Sequence, residues 1–387
     1  MIGRIIELEN IAEAERVLGQ IGVEAAGITL MAPKALHRAI KLYAIRNVAA
    51  NILKQEMLSI GGEVATAYGS INHSVETTDV LVMGTMKQLT TLALKLKQHQ
   101  FGLPQLAANL EQLLQNYQAK SLPKTKIMGI LNVTPDSFSD GGKFVDIEQA
   151  ISRAKQMVDD GAEIIDIGGE STRPGAAAVS AREEKQRVLP VIERLVKEIN
   201  IPISIDTTKA EVAAEAIACG ASMVNDISGL RFDSQMAKVV AEAGVSLSIM
   251  HIQGNPQTMQ QKPTYSDLME EVINYLAEGL EIAQKAGILQ GKIIVDPGLG
   301  FGKSPQHNLE IIKRLKELKV LGCPILIGPS RKSLIGQVLD LPVEERLEGT
   351  AAIVAASILN GANIVRVHDV KAMGRVVKMV EAILKGE

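Results

Sequence analysis

Between residues 132 and 368 the chain carries a succession of short polar clusters. They are Asn132, Asp166 followed by Gly-Gly-Glu-Ser-Thr-Arg, Asp206, Asn225-Asp226, Met250-His251, Asp296, Ser330-Arg331-Lys332, and Arg366 with His368. Asp206 and Asp296 offer hydrogen-bond acceptors, Asn225 offers an acceptor and donors, and Lys332 and Arg366 offer a point cation and a planar one. This set suits a flat heterocycle whose edge alternates N–H and C=O groups, with a guanidinium stacked on its face. Arg366, His368 and Asn132 suit a phosphate-like group or a metal bridging one. Taken singly, each cluster has a plainer explanation, because Asp and Asn cap helices and fill turns. Helix caps alone do not require Lys, Arg and His to converge as well.

Each cluster closes a short apolar run: KIMGILNV, AEIIDIGG, IPISIDT, ASMVNDIS, VSLSIMH, KIIVDPG, CPILIG and ANIVRVHD. Amphipathic segments lie between the runs. In one of them Leu268, Val272, Leu276, Leu280 and Ala283 fall on a single helical stripe, and in another Ser180 and Glu183 have capping-box spacing. Continuous apolar strands alternating with helices imply a parallel sheet covered on both faces. The number of units over residues 126–387 matches a closed (β/α)8 TIM barrel, whose sites form at the C-terminal ends of the strands. The rival is an open doubly wound sheet, but no GxGxxG follows the first run. The polar loop GILNVTPDSFSDGG is longer than most connections and has flexible points at Gly141 and Gly142, so it is read as a flap that closes over an anion.

Residues 1–120 break this rhythm. RIIELEN and DVLVMG read as strands, and NVAANILKQEMLSIGG, MKQLTTLALKLKQ and GLPQLAANLEQLLQNY read as helices. This segment is a smaller N-terminal α/β domain with no constellation of catalytic type, followed by the linker QAKSLPKT and the barrel domain 121–387. Hydrophobic residues make up 46% of the 387, aromatics only 3%, and there is no Trp, so the core must be aliphatic. A net charge of −3 gives no field for nucleic acid or an anionic membrane, so an anionic substrate needs a local site. Cys219 and Cys323 are lone thiols without CxxC spacing, no apolar run approaches a membrane span, and MIGRIIELEN turns polar too soon for a signal peptide. A cytoplasmic protein is expected.

The ordered set GILNVTPDSFSDGG, DIGGESTRPG, SIDTTK, VNDISG, IMHIQGNPQTMQ, DPGLGFGKS, GPSRKSLIG and RVHDV resembles the dihydropteroate synthase family over about residues 126–387. The resemblance implies condensation of (7,8-dihydropterin-6-yl)methyl diphosphate with 4-aminobenzoate, with Mg²⁺ as cofactor and a homodimer as assembly. It implies that Asp206, Asn225, Asp296 and Lys332 grip the pterin edge and that Arg366 lies against the ring. Asn132 would contact Mg²⁺, and Arg366 and His368 would hold the diphosphate. Thr172, Arg173 and Pro174 would form the aminobenzoate side with Ser333 near its carboxylate, and Met250, Phe301 and Gly328 complete the substrate-binding positions. Asp166 is expected to order the GGESTRPG loop. His251 is either a packing histidine or a wall of the site, and Phe301 either lines the pocket or packs a helix. A methyltransferase-type pterin-binding domain shares the gripping Asp and Asn residues. It needs no diphosphate site, so the first loop, the SRKS lysine and the Arg-x-His ending favour the synthase. A pterin-binding protein without activity is the other alternative.

Overall fold

In the computed structural model the described residues are 3–72, 74–118, 124–134, 143–171 and 178–385. The chain divides into two compact units, Met1–Lys120 and Ser121–Glu387. In the first, strands β1 (His37–Arg46), β2 (Glu63–Thr66) and β3 (Thr77–Thr85) form an antiparallel sheet in the order β1-β3-β2. Helices Asn47–Ser59, Met86–Leu96 and Leu103–Gln118 bury Leu53, Met57, Leu89, Leu92 and Leu110 in a core that includes Val64, Val80 and Val82 of the sheet. RIIELEN is not a strand. Residues 3–9 take no ladder position, and Ile5 is 97% exposed. The strand is the later HRAIKLYAIR, whose alternation is broken by a register shift between Leu42 and Ile45, with Ala44 at φ 50°. A bulge moves side chains to the opposite face, which hides the period of two from a count along the sequence.

The second unit is the expected barrel. Its strands are β4 (Lys126–Asn132), β5 (Ile164–Gly168), β6 (Ile203–Asp206), β7 (Met223–Asp226), β8 (Ser246–Met250), β9 (Ile293–Asp296), β10 (Leu326–Ile327) and β11 (Ile364–Val367). They pair in parallel in the order β10-β11-β4-β5-β6-β7-β8-β9. The last seam closes where Val295 bridges Ile325 and its N–H donates to the Pro324 carbonyl at 2.9 Å.

Side chains alternate in and out along each strand. One set, including Ile165, Ile167, Ile205, Val224, Leu247, Ile249 and Val365, packs against the helices in the main core. The other set faces the barrel axis. At the bottom it forms a separate apolar layer of Met128, Ile164, Met223, Leu326 and Ile364, with Ile294 beside it. Two residues further along each strand the same inward face carries Ile130, Asp166, Asn225, Gly328, Arg366 and Asp296. The alternation that seals the floor therefore also aims the polar residues into one cup above it.

Candidate active site

The register places Asn132 beside Gly168, Gly168 beside Asp206, Asp206 beside Asn225, and Met250 beside Asp296. Arg366 rises from β11 and crosses the mouth of the barrel. Its Nε donates to Asp166 Oδ2 at 2.5 Å, and its Nη2 donates to Asp206 Oδ2 at 2.6 Å. Asn225 Nδ2 donates to the same Asp166 oxygen at 3.1 Å. Asp166 is fully buried and its Oδ1 takes no hydrogen bond. The expectation that Asp166 orders the GGESTRPG loop is corrected, because it holds Arg366 and Asn225 instead. The base of that loop is tied by Glu170, which accepts from Val179 N–H at 2.9 Å and Lys209 Nζ at 2.6 Å, and by Arg187 on the Gly169 carbonyl at 2.7 Å.

The remaining strand ends complete the cup. Asp296 is buried and accepts from Gly298 N–H at 2.7 Å. Lys332 caps the start of helix Ser333–Leu339 and sets its ammonium 4.4 Å from the Phe301 ring centroid. Phe301 packs with Met250, Ile227, Ile252 and Met259 in a small apolar cluster, so it both packs and supports Lys332. His368 Nδ1 lies 3.0 Å from Ser330 Oγ, and its backbone N–H donates to the same oxygen at 3.2 Å. A β-carbon on Gly328 would sit 4.0 Å from Arg366 Cβ, and one on Gly168 would sit 3.8 Å from Asn132 Oδ1. Ser333 is exposed at the start of its helix. Thr172, Arg173, Pro174 and the 135–142 segment with Gly141 and Gly142 lie outside the described residues.

Burial and neighbouring charges move the acidities of these groups. Burial pushes Asp296 up to about 6, although Gly298 N–H, Lys332 and Arg366 oppose it. Burial and the Arg366 charge bring Lys332 down to about 8 against the pull of Asp296 and Asp206. Burial also raises Asp206, with Arg366 working the other way. For Arg366 burial disfavours the charge, but Asp166, Asp206 and Asp296 outweigh it and keep the guanidinium protonated. Burial, then Arg366 and Arg331, depress His368 to about 4, so it is a neutral imidazole near pH 7.

His251 is a buried packing residue. It lies edge-on to Tyr275, with centroids 4.7 Å apart, and its Nδ1 is 2.7 Å from Lys303 Nζ. Lys303 was missed by sequence reasoning because a lysine among glycines in GFGKS reads as solvated. Arg331 was only a member of a cluster. In the fold it forms two bonds to Asp369, at 3.0 and 2.7 Å, behind His368. His307 is not a free surface group, since it closes a capping box with Ser304. Among the described residues no group of three or more His, Cys, Asp or Glu could hold a metal, and no helix is long and apolar enough to cross a membrane.

Comparison with known proteins gives this geometry a family. The pterin binding enzyme family matches residues 128–368. The dihydropteroate synthase of Bacillus subtilis is 52% identical over 261 residues, 67% of this chain and 89% of that protein. A solved dihydropteroate synthase from Clostridium difficile, in the presence of pteroic acid, superposes with a TM-score of 0.64 at 50% identity, covering 67% of this chain and 97% of that one. A probable bifunctional folylpolyglutamate synthase/dihydropteroate synthase of Halobacterium salinarum is 41% identical over 98% of this chain and 47% of that protein, so its match extends into the first unit. With this cup at the mouth of a closed barrel, the chain belongs to the dihydropteroate synthase family of pterin-binding enzymes.

Proposed function

We propose the following division of labour for the family's reaction, in which (7,8-dihydropterin-6-yl)methyl diphosphate and 4-aminobenzoate give 7,8-dihydropteroate and diphosphate. The observation that carries it is the convergence of Arg366, Asp166, Asp206 and Asn225 through direct hydrogen bonds over one apolar floor. Asp296 and Asp206 accept from the pterin's N–H edge, Asn225 donates to it, and Lys332 donates to a ring acceptor. Arg366, anchored by Nε on Asp166, lies along the ring face. The Arg366 contact to Asp206 uses only Oδ2, which leaves Oδ1 for the substrate.

At the rim, Arg366 and His368 receive the diphosphate. A neutral His368 gives a hydrogen bond without needing a counter-ion, and an approaching anion raises its basicity. The scissile C–O bond breaks with its electron pair leaving on the diphosphate. The methylene carbon then forms a C–N bond to the arylamine, which loses a proton. Donors fixed in place before the reaction stabilise the charge that develops on the leaving oxygen. The electron-rich dihydropterin can support the cationic methylene, so departure precedes attack. Residues 172–174 and Ser333 are proposed to receive aminobenzoate.

Mg²⁺ fits the donor set. It takes one or two protein oxygens and completes its shell with substrate phosphates and water, and Asn132 offers an amide oxygen at the rim, where no all-protein cage stands among the described residues. When bound it would neutralise the leaving diphosphate. We further propose a cytoplasmic homodimer. Its surface is the run of exposed apolar residues Met379, Ile383 and Leu384 on the terminal helix, which packs beside helix Leu347–Leu359. Light scattering that gives twice the chain mass, and a monomer for Met379→Glu/Ile383→Glu, is the expected outcome.

The deciding experiment is steady-state release of diphosphate with the pterin diphosphate, aminobenzoate and Mg²⁺. Release that depends on aminobenzoate and yields dihydropteroate supports the reading. Pterin binding without release would assign the chain to a silent binding protein.

A further inference from the structure

Lys303 sits in the loop after β9, on the same side of the barrel as the cup, and is only 2% exposed. Among the described residues its ammonium touches no carboxylate. Instead Nζ meets His251 Nδ1 at 2.7 Å, the Phe301 carbonyl at 3.0 Å and the His251 carbonyl at 3.4 Å. These partners join two elements, the end of β8 and the loop 297–304 after β9. The same loop carries Gly298, whose N–H holds Asp296, and Phe301, whose ring supports the Lys332 ammonium. Asn308 fixes the loop from its other side, accepting from Gly300 N–H at 2.8 Å, and Tyr265 donates to the Gly302 carbonyl at 2.6 Å.

A lysine is an expensive residue to bury for three neutral acceptors, since an apolar side chain or an amide could fill such a place without a charge. We infer that Lys303 is a positioning residue for the pterin. It acts first through Phe301, whose backbone carbonyl it ties down beside Lys332, and, while protonated, through the charge it sets near Asp296, the acceptor for the pterin's N–H groups. The inference rests on the proposed pterin site and deepens it.

The electrostatic surroundings agree. Asp296 is faced by Lys332, Arg366 and Lys303 in addition to Gly298 N–H. Lys303 is faced by Asp296 and Lys332, and burial brings it down to about 7. His251 is pushed down to about 2, first by burial and then by Lys303 and Arg231, so it is a neutral acceptor. Removing the Lys303 charge therefore raises Asp296 further, and pterin binding begins to fail at a higher pH.

The test uses the full chain and two probes: the dihydropterin alcohol lacking its diphosphate, and inorganic diphosphate with Mg²⁺. For Lys303→Met the expected result is roughly tenfold weaker pterin binding at pH 6.5, where Lys303 is mostly protonated, an acidic limb of binding moved upward, and diphosphate binding within about twofold of wild type. Should that variant fail to fold by circular dichroism, Lys303→Gln keeps a donor, drops the charge and gives the same comparison. Unchanged pterin affinity with an unmoved limb overturns the inference. Equal loss of both probes also overturns it, because Lys303 would then merely hold the barrel together. Asp296→Asn is run alongside. If it leaves pterin binding intact, the site assignment itself fails; if it abolishes binding while Lys303→Met does not, only the role of Lys303 fails.

Discussion

Asp296 and Lys332 have acidities displaced toward each other, to about 6 and about 8. The substrate needs the first as a carboxylate and the second as an ammonium. The profile of kcat/KM against pH is therefore expected to rise through about 6 and fall through about 8, and a flat profile across that range would exclude both assignments. Stability follows a different sense. The folded Asp296 binds its proton more tightly than a free carboxyl at about 4. Its contribution to folding is thus fully present below about 4 and is lost as pH rises through about 6, so thermal melts of the unliganded protein should show this contribution weakening over that window. Arg366→Lys keeps the charge but loses the fork that spans Asp166 and Asp206, and kcat/KM should drop by about 100-fold. Asp206, Asn225, Asp296 and Arg366 were legible in the sequence because each ends an apolar run at the inward parity. Asp166 shares that parity, but the polar loop behind it suggested a loop role, and only the fold brings Arg366 to it from 200 residues away.

The loop after β9 shows what an element must do to hold a site. Gly298 stands at φ 68°, and a β-carbon there would lie 2.1 Å from the His251 carbonyl oxygen. Gly298→Ala adds left-handed strain to a backbone clash and should destabilise the fold by at least about 2 kcal/mol, measured as a lower Tm, while weakening pterin binding. The glycines of DPGLGFGKS could be read as a bend, but the close backbone approach could not, because it depends on His251, just past the end of β8 and 47 positions upstream. The barrel strands were readable throughout because parallel strands buried on both faces are continuous apolar runs. β1 was not, because its edge position keeps Arg38, Lys41 and Arg46 in the strand and its bulge breaks the alternation.

The two units have separate hydrophobic cores. The Bacillus subtilis relative matches over 89% of its own length while covering only 67% of this chain. Residues 121–387 expressed alone should therefore melt cooperatively and keep kcat/KM within about twofold, and a large loss of activity would assign the first unit a part in the reaction. The sequence separated these two segments by rhythm, yet gave the first no chemistry, because nothing in its pattern gathers reactive side chains. In the barrel, the plug of Met128, Ile164, Met223, Leu326 and Ile364 shuts the far end of the channel. Traffic is then confined to a single doorway, so whichever reactant occupies the innermost berth must arrive ahead of its companion. With the bicyclic ring innermost, product-inhibition kinetics should be ordered, with diphosphate departing before the finished pteroate can back out.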